Sequence, residues 1–462
     1  MSEPLSMGVN PGIIQKPMLM TKTISLFLLL VSLLLCPDLA AQTFSLEDCI
    51  DAVLRNNQQL KNSQLDMDAS AFRVKELKSG LLPTVDLAGQ SLYYKDLPAQ
   101  YAPASAFGGP EGEYTKLSLN MRQTSSANLQ LSQSLFNQSV RTGVKTAQAA
   151  QDATHLQDHV VRENVIYNVT ATYYSIQVLN DNLVRLATNL ANLEHATQIN
   201  AVLKDNELVS PNAHNRMLIN LENLRNQYEN QKLLLSKNMT ALKNLMDMDV
   251  NDSLAVQSFD YAALLAMPET TDLSQRPDLK FQQAQIKVAQ FEKKNIAAGY
   301  LPTLTNTFSY GFTGYNNAFG PFTPIHHDWV RSSYFALTLK VPVFDGFRKQ
   351  NQIRQKEMTI QRNINTLAMM RANADKELED ALSTYRSNKT LWDSNKKSLD
   401  LAEKLFASAS GEYESGITTL TDLLNAQNDL TNARTNYSTA LLNLKLAELS
   451  LKKANGTLIA KP

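Results

Sequence analysis

Between Pro110 and Pro211 the chain has no proline, and after Pro342 there is none until the terminal Pro462. Beyond Asn137 only Gly143 interrupts the first stretch, with Gly346, Gly411, Gly416 and Gly456 in the second. Proline removes a helical hydrogen bond and clashes with the preceding turn, so segments without it are free to run as unbroken helix. Asn137 to about Asn206 is roughly 70 residues, or ~105 Å at 1.5 Å per residue. No single globular core covers such a rod, so the chain has to lay long helices against one another.

The rods belong to a duplication. "NNQQLK" (56–61) answers "QRPDLK" (275–280), and "GLLPT" (80–84) answers "GYLPT" (299–303), both 219 residues apart. Farther on, "LSQSLF" (131–136) aligns with "LKVPVF" (339–344) at 208. Leu221, Tyr228, Leu235 and Leu242 align with Leu430, Tyr437, Leu444 and Leu451 at 209. The shorter offset places about eleven extra residues in "DLPAQYAPASAFGGPEGEYT" (96–115), whose proline, glycine and serine suit a surface loop. Each copy reads helix, strand, loop, strand, very long helix, tip, long helix, and a linker near 247–272 joins them.

In the last helix Leu423, Leu430, Tyr437, Leu444 and Leu451 recur every seven residues. Ala426, Ala433, Ala440, Ala447 and Ala454 repeat three positions later. A strict period of seven predicts left-handed supercoiling, and alanine on half the seam lets helices approach closely. Asn, Gln, Thr and Ser on the remaining faces are expected to meet water.

Between the landmarks the period changes to two. Leu129, Leu131 and Leu135 alternate with Gln130, Ser132 and Ser134 in "NLQLSQSLF" (128–136). In "TLTNTFSYGF" (303–312), Leu304, Phe308, Tyr310 and Phe312 share a face; in "SYFALTLKVPVF" (333–344), Phe335, Leu337, Leu339, Val341 and Val343 do. "TVDLAGQSLYY" (84–94) is a weaker case. Segments 84–136 and 303–344 hold 16 of the 34 aromatic residues in about a fifth of the chain. Such two-faced, aromatic-rich segments match strands of a transmembrane barrel, with Tyr93, Tyr94, Tyr315, Trp329 and Tyr334 as candidates for an interfacial girdle. Four strands cannot close a wide barrel, and lipid tolerates no open sheet edge, so several chains must pool their strands.

Lys22, the apolar run "TISLFLLLVSLLLC" and "PDLAAQ" read as a secretory signal peptide over residues 1–41, with cleavage expected after Ala41. A lipoprotein signal ending at Cys36 is the rival, disfavoured by Leu34 and Leu35 where small residues belong. Residues 1–17 read as an overlong start, with Met18 or Met20 as alternatives. No other run has the ~20 apolar residues of a membrane helix. With Cys36 removed, Cys49 alone remains and no internal disulfide is expected. Lys+Arg and Asp+Glu both number 44, a balance that argues against nucleic acid as a partner. There is no P-loop, nucleophile elbow, paired-cysteine metal motif or H-E-x-x-H, so neither an enzyme nor a cofactor is expected. His155 and His159 have helical spacing for a metal but no third ligand nearby; His326 and His327 fall in a predicted loop.

The two copies, the "LP" strand starts at Pro83 and Pro302, and the "LF" and "VFDG" exits at Phe136 and Phe344 combine with "GITTLTDLLNAQNDLTNARTNY" (416–437). Together they resemble the TolC-like outer membrane efflux proteins over essentially the whole mature chain. The pattern G-x-x-[ST]-x-x-D-[LV]-L-[DN]-A at a helix start is the most specific part. The resemblance implies a mainly α fold with a membrane β-barrel part. Long antiparallel coiled-coil helices would form a trimeric α-barrel through the periplasm, and three copies of four strands a shared twelve-stranded barrel in outer-membrane lipid. It implies 42–82, 137–302 and 345–455 as helical barrel and 84–136 and 303–344 as membrane strands. External loops fall near 96–115 and 316–329, and 456–462 is a tail. Its function would be a passive export duct from an inner-membrane pump of RND or ABC type, through an adaptor protein, to the outside of a Gram-negative cell. A structural periplasmic coiled coil or adaptor without a pore is the alternative.

The resemblance also implies a periplasmic iris. Asp422 and Asn425 fall where members can carry two aspartate rings, so this chain would keep one. Tyr413 matches a gate tyrosine, but its acidic partner falls at Ala213 and a gate arginine at Thr418, which puts ionic closure in doubt. Adaptor docking would use Leu208, Val209, Ser210 and Pro211 at one tip and Gly416, Ile417, Thr418, Thr419 and Leu420 at the other.

Overall fold

The structure, a computed structural model, describes residues 43–258, 273–318, 329–415 and 417–459. The signal peptide with Cys36, the loop histidines His326 and His327, and Gly416 lie outside these residues, as do 259–272 of the linker and 319–328 of the second loop. The first copy runs β1 (Thr43–Phe44), α1 (Leu46–Asn56), α2 (Gln58–Ser79), β2 (Thr84–Tyr93), β3 (Gln100–Pro103), β4 (Tyr114–Leu117), β5 (Gln123–Asn137), α3 (Gln138–Asp205) and α4 (Pro211–Leu245). After β6 (Ala255–Val256), the second copy runs α5 (Pro277–Ala298), β7 (Thr303–Asn316), β8 (Trp329–Lys340), α6 (Arg348–Glu414) and α7 (Leu420–Ala454). The rods α3 and α6 have 68 and 67 residues, each about 100 Å long. Their partners α4 and α7 both have 35 residues and begin 209 positions apart, the offset of the sequence landmarks.

Local chemistry sets the helix ends. Ser45 and Asp48 form a reciprocal capping box at α1. Asn57 then breaks α1 from α2: its side-chain oxygen accepts from the Gln59 and Leu60 N–H groups, while its amide donates to the Leu245 carbonyl at 2.8 Å. The duplication had suggested one helix here; the break pins it to the end of α4. Two further strand pairs were not legible. β1 pairs parallel with β6, and β3 and β4 form a small hairpin inside the first loop.

β2, β5, β7 and β8 make one antiparallel sheet in that order, with β5 and β7 joining the two copies and β2 and β8 left as edges. Register stacks apolar side chains on one face: Val85, Leu131, Phe308 and Phe335 in one row, Leu87, Leu129 and Tyr310 in the next. Asp86, Gln130, Ser309 and Tyr334 occupy a row of the other face. Two expectations change. The last strand was read through Phe344 but ends at Lys340, because Pro342 has no N–H to continue a ladder. Of the expected girdle, Tyr93 and Trp329 lie at strand ends on the apolar face, whereas Tyr315 and Tyr334 alternate to the polar face and Tyr94 follows the strand. Gly314 makes room for Trp329, whose indole would come within 2.6 Å of an added Cβ.

The heptad seam of α7 is buried: Leu430, Tyr437, Ala440, Leu444, Ala447, Leu451 and Ala454 pack with Leu378, Tyr385, Trp392 and Leu399 of α6. The α6 residues also recur every seven positions, large side chains that fill the space left by the alanines. The polar faces of α7 do not all meet water, however. Gln427, Ser438, Lys445 and Glu448 are buried, where α7 also packs on α3. Lys445 pairs with Glu448 at 3.3 Å and lies over the Tyr174 ring.

A second buried cation stitches the ends together. Arg276 pairs with Asp278 at 2.8 Å and Glu377 at 2.9 Å and reaches the Ala454 carbonyl at 3.5 Å, linking α5, α6 and α7. Burial opposes its charge, but the carboxylates of Asp278 and Glu377 more than offset that and raise its pKa. Nearby on α3, Glu163 is buried with Oε1 unpartnered among the described residues. Burial raises its pKa against the pull of Lys453, with Asp278 adding to the rise and Arg276 opposing it. A carboxylate whose folded pKa is raised binds protons more readily when folded, so stability falls as pH rises from about 4.3, the ordinary value, through the raised one. Glu163→Gln is therefore expected to stabilise the packed helices by about 1 kcal/mol at pH 7.5, with the gain fading below about pH 4. Thermal melts at both pH values check this; equal effects at both would remove the titration account.

Candidate functional site

The ends of the two helical hairpins, farthest along the rods from the sheet, gather the residues singled out in the sequence. In the first tip, Glu207 turns the chain with φ 60° and the Leu208 N–H returns to the Leu203 carbonyl at 2.9 Å. Ser210 then caps α4, accepting from the Ala213 N–H at 3.2 Å, with Pro211 in the first turn where its missing N–H costs nothing. In the second tip the Ile417 N–H donates to the Glu412 carbonyl at 2.8 Å, and Thr419 caps α7 by accepting from the Asp422 N–H at 3.2 Å. Leu208 and Ile417 project from the two turns, 72% and 76% exposed.

Asp422 is the third residue of α7. Its carboxylate accepts from the Thr419 hydroxyl at 2.6 Å and the Thr418 hydroxyl at 3.3 Å. The Thr419 bond, helped by Thr418, holds the carboxyl below its usual range, and a negative charge suits a helix N-terminus. Asp422 and Asn425 are both exposed, one turn apart. Tyr413 is half-buried and packs in a small cluster around Ala409, Leu423 and Ala426, with Phe406 and Leu420 beside it.

Val209, Tyr413 and Thr418 meet at a single cavity of about 890 Å³ between the hairpins. Leu208, Ser210, Pro211, Ile417, Thr419 and Leu420 are not part of its lining. Pro83 and Pro302 stand immediately before β2 and β7, Phe136 is the penultimate residue of β5 beside a register shift, and Phe344 is exposed between β8 and α6. His155 and His159 are exposed on α3; Asp158 between them is buried, taken up by Ser63 and Arg162.

What the sequence reading missed is the polar boundary between α3 and α7. Arg434 donates to Asn189 at 2.6 Å and to Glu403 at 3.4 Å, linking both hairpins. Asn189 Nδ2, Asn200 Nδ2 and Gln427 Nε2 are buried without partners among the described residues. Amides repeating every seven or eleven positions on α3 were the available signal: Asn182, Asn189 and Asn200 occupy buried positions.

The outer membrane efflux protein family profile matches residues 49–203 and 271–457. The outer membrane protein TolC of Escherichia coli (strain K12) is similar, 23% identical over 398 residues that cover 80% of this chain and 74% of that one. Among solved structures, the Campylobacter jejuni CmeC outer membrane channel is similar with TM-score 0.73 and 19% identity, over 89% of this chain and 85% of that chain. The open state of the Neisseria gonorrhoeae MtrE outer membrane channel is similar with TM-score 0.69 and 19% identity, over 89% and 88%. With its two-faced sheet, its paired rods and a profile that spans both copies, the chain belongs to the outer membrane efflux protein family, a family of transport channels rather than enzymes.

Proposed function

We propose that three copies of the chain form one duct that carries substrates from an inner-membrane pump across the periplasm and outer membrane. The observation that carries this reading is a four-stranded sheet with an apolar face and two open edges, β2 and β8. Joining β8 of one copy to β2 of the next removes every edge, and three copies of four strands give a closed barrel of twelve. On this reading 84–136 and 303–344 enter the lipid, while 42–82, 137–302 and 345–455 form the periplasmic shaft. The exposed Leu208 and Ile417, with their neighbours in the two tips, offer apolar contacts to an adaptor protein, which links the duct to a pump of RND or ABC type. An outer-membrane fraction yielding an unheated trimer that conducts ions in planar bilayers supports the reading; a soluble monomer overturns it.

We also assign the iris to this end. Three copies of Asp422 around the axis concentrate negative potential in a narrow mouth. Its hydroxyl bonds aim the carboxylate while leaving it exposed. Asp422→Asn is expected to lower the cation-to-anion permeability ratio at least about twofold. Reversal potentials under a salt gradient measure this, and an unchanged ratio would leave Asp422 only its bonds to the Thr418 and Thr419 hydroxyls. With Ala213 and Thr418 standing where the family pattern would place an acidic partner and an arginine, closure would rest on the packing of Tyr413 against Ala409 and Leu423.

A further inference from the structure

We propose that the cavity between the two hairpins is a binding site for an uncharged, drug-sized amphiphile bearing a hydrogen-bond-accepting oxygen. The proposal rests on the duct reading for its consequence, since Tyr413 and Thr418 line the cavity, but not for its chemistry. The volume of about 890 Å³ lies within the range of small-molecule sites, and most of its wall is apolar, from Leu193, Ile199 and Met217 on one hairpin to Phe406, Leu423 and Leu424 on the other. None of the fifteen lining residues is Asp, Glu, Lys or Arg. A cationic guest would lose its hydration with no carboxylate among the described lining residues to replace it, and His195 adds no negative charge, so the site selects against one.

One polar group points to the guest's other requirement. Gln427 is 9% exposed, lines the cavity, and has its Nε2 donor unpartnered among the described residues. A buried donor left unpaired is costly; Nε2 is itself fully covered, so turning the Gln427 amide toward the cavity would let a carbonyl or ether oxygen there satisfy it. Since α3 contributes one wall and α6 with α7 the other, a bound molecule bridges the two hairpins. It would bias the gate toward the hairpin spacing that fits it.

The test uses Nile red, which is neutral, aromatic and carbonyl-bearing, on the full-length channel carrying Ser410→Cys. Ser410 lines the cavity and is half-buried, and the native Cys49 is fully buried and serves as the unreactive control. Nile red is expected to slow N-ethylmaleimide labelling of the new thiol about tenfold at saturation. Adding Gln427→Leu should weaken that protection about tenfold in probe concentration, the loss of one hydrogen bond. Adding Ala196→Phe, which fills the space, should abolish it. Absent protection, or protection equal in all three proteins, overturns the site. If Ala196→Phe does not fold, the Gln427→Leu comparison alone decides. Planar-bilayer conductance of the probe-free Ser410→Cys protein reports on the duct reading separately: conductance without protection sinks the cavity proposal and leaves the duct standing.

Discussion

Phe335→Arg is expected to eliminate the trimer from the outer membrane, while Ala336→Arg, one residue along, leaves it in place. Phe335 lies halfway along β8, 68% exposed, in the row with Phe308, Leu131 and Val85. If that row faces lipid, arginine there costs about 2–4 kcal/mol per copy near the bilayer midplane. Three copies in one barrel, as proposed, would multiply the penalty. Ala336 is paired with Thr307 and faces the opposite way, where water solvates a guanidinium. The control is strict because alternation moves a side chain through the sheet with no other change of address. Unheated gels of outer-membrane fractions give the answer, and equal loss in both variants would mean that the sheet has no lipid face.

The second large effect is expected in the shaft. Trp392→Ala should destabilise it by about 3–5 kcal/mol, the range for emptying a large aromatic site. Trp392 is buried in the α6–α7 seam, its ring centroid 6.5 Å from that of Tyr437. Its bulk is matched to the alanines of α7, so the gap cannot close unless the two rods change their spacing along several heptads. Ala440→Leu tests the same fit from the other side and should cost about 1–3 kcal/mol through overpacking. Denaturant titration followed by circular dichroism measures both. A Trp392→Ala change under about 1 kcal/mol would mean that the seam is loosely packed, unlike ordinary protein interiors.

Much of the fold was legible because its periods are strict. Leu423 to Leu451 in sevens, and Leu129 to Leu135 and Phe308 to Phe312 in twos, named the helical seam and the strands with their faces. The rods followed from missing prolines. The sequence was less informative where one contact overrides a local pattern. Asn57 breaks a helix through bonds to Gln59, Leu60 and the distant Leu245, and no periodicity announces that. Lys445 and Glu448 look like solvent residues until a third helix covers them. At the tips, the caps Ser210 and Thr419 could be read from residue type, but the cavity could not. It lies where α3 and α7 meet through Asn189 and Arg434 as well as through Leu193 and Leu424, and no single period announces so mixed a boundary.

The Arg276 stitch has a mechanical consequence. It holds α5, α6 and α7 together at the Ala454 end, and α7 extends 35 residues from there to its tip, about 50 Å. A tilt of only about 5° about that fixed point would sweep the tip sideways by about 4 Å over such a lever arm. Motion too small to disturb the cross-linked base would thus be magnified at the mouth, by length alone.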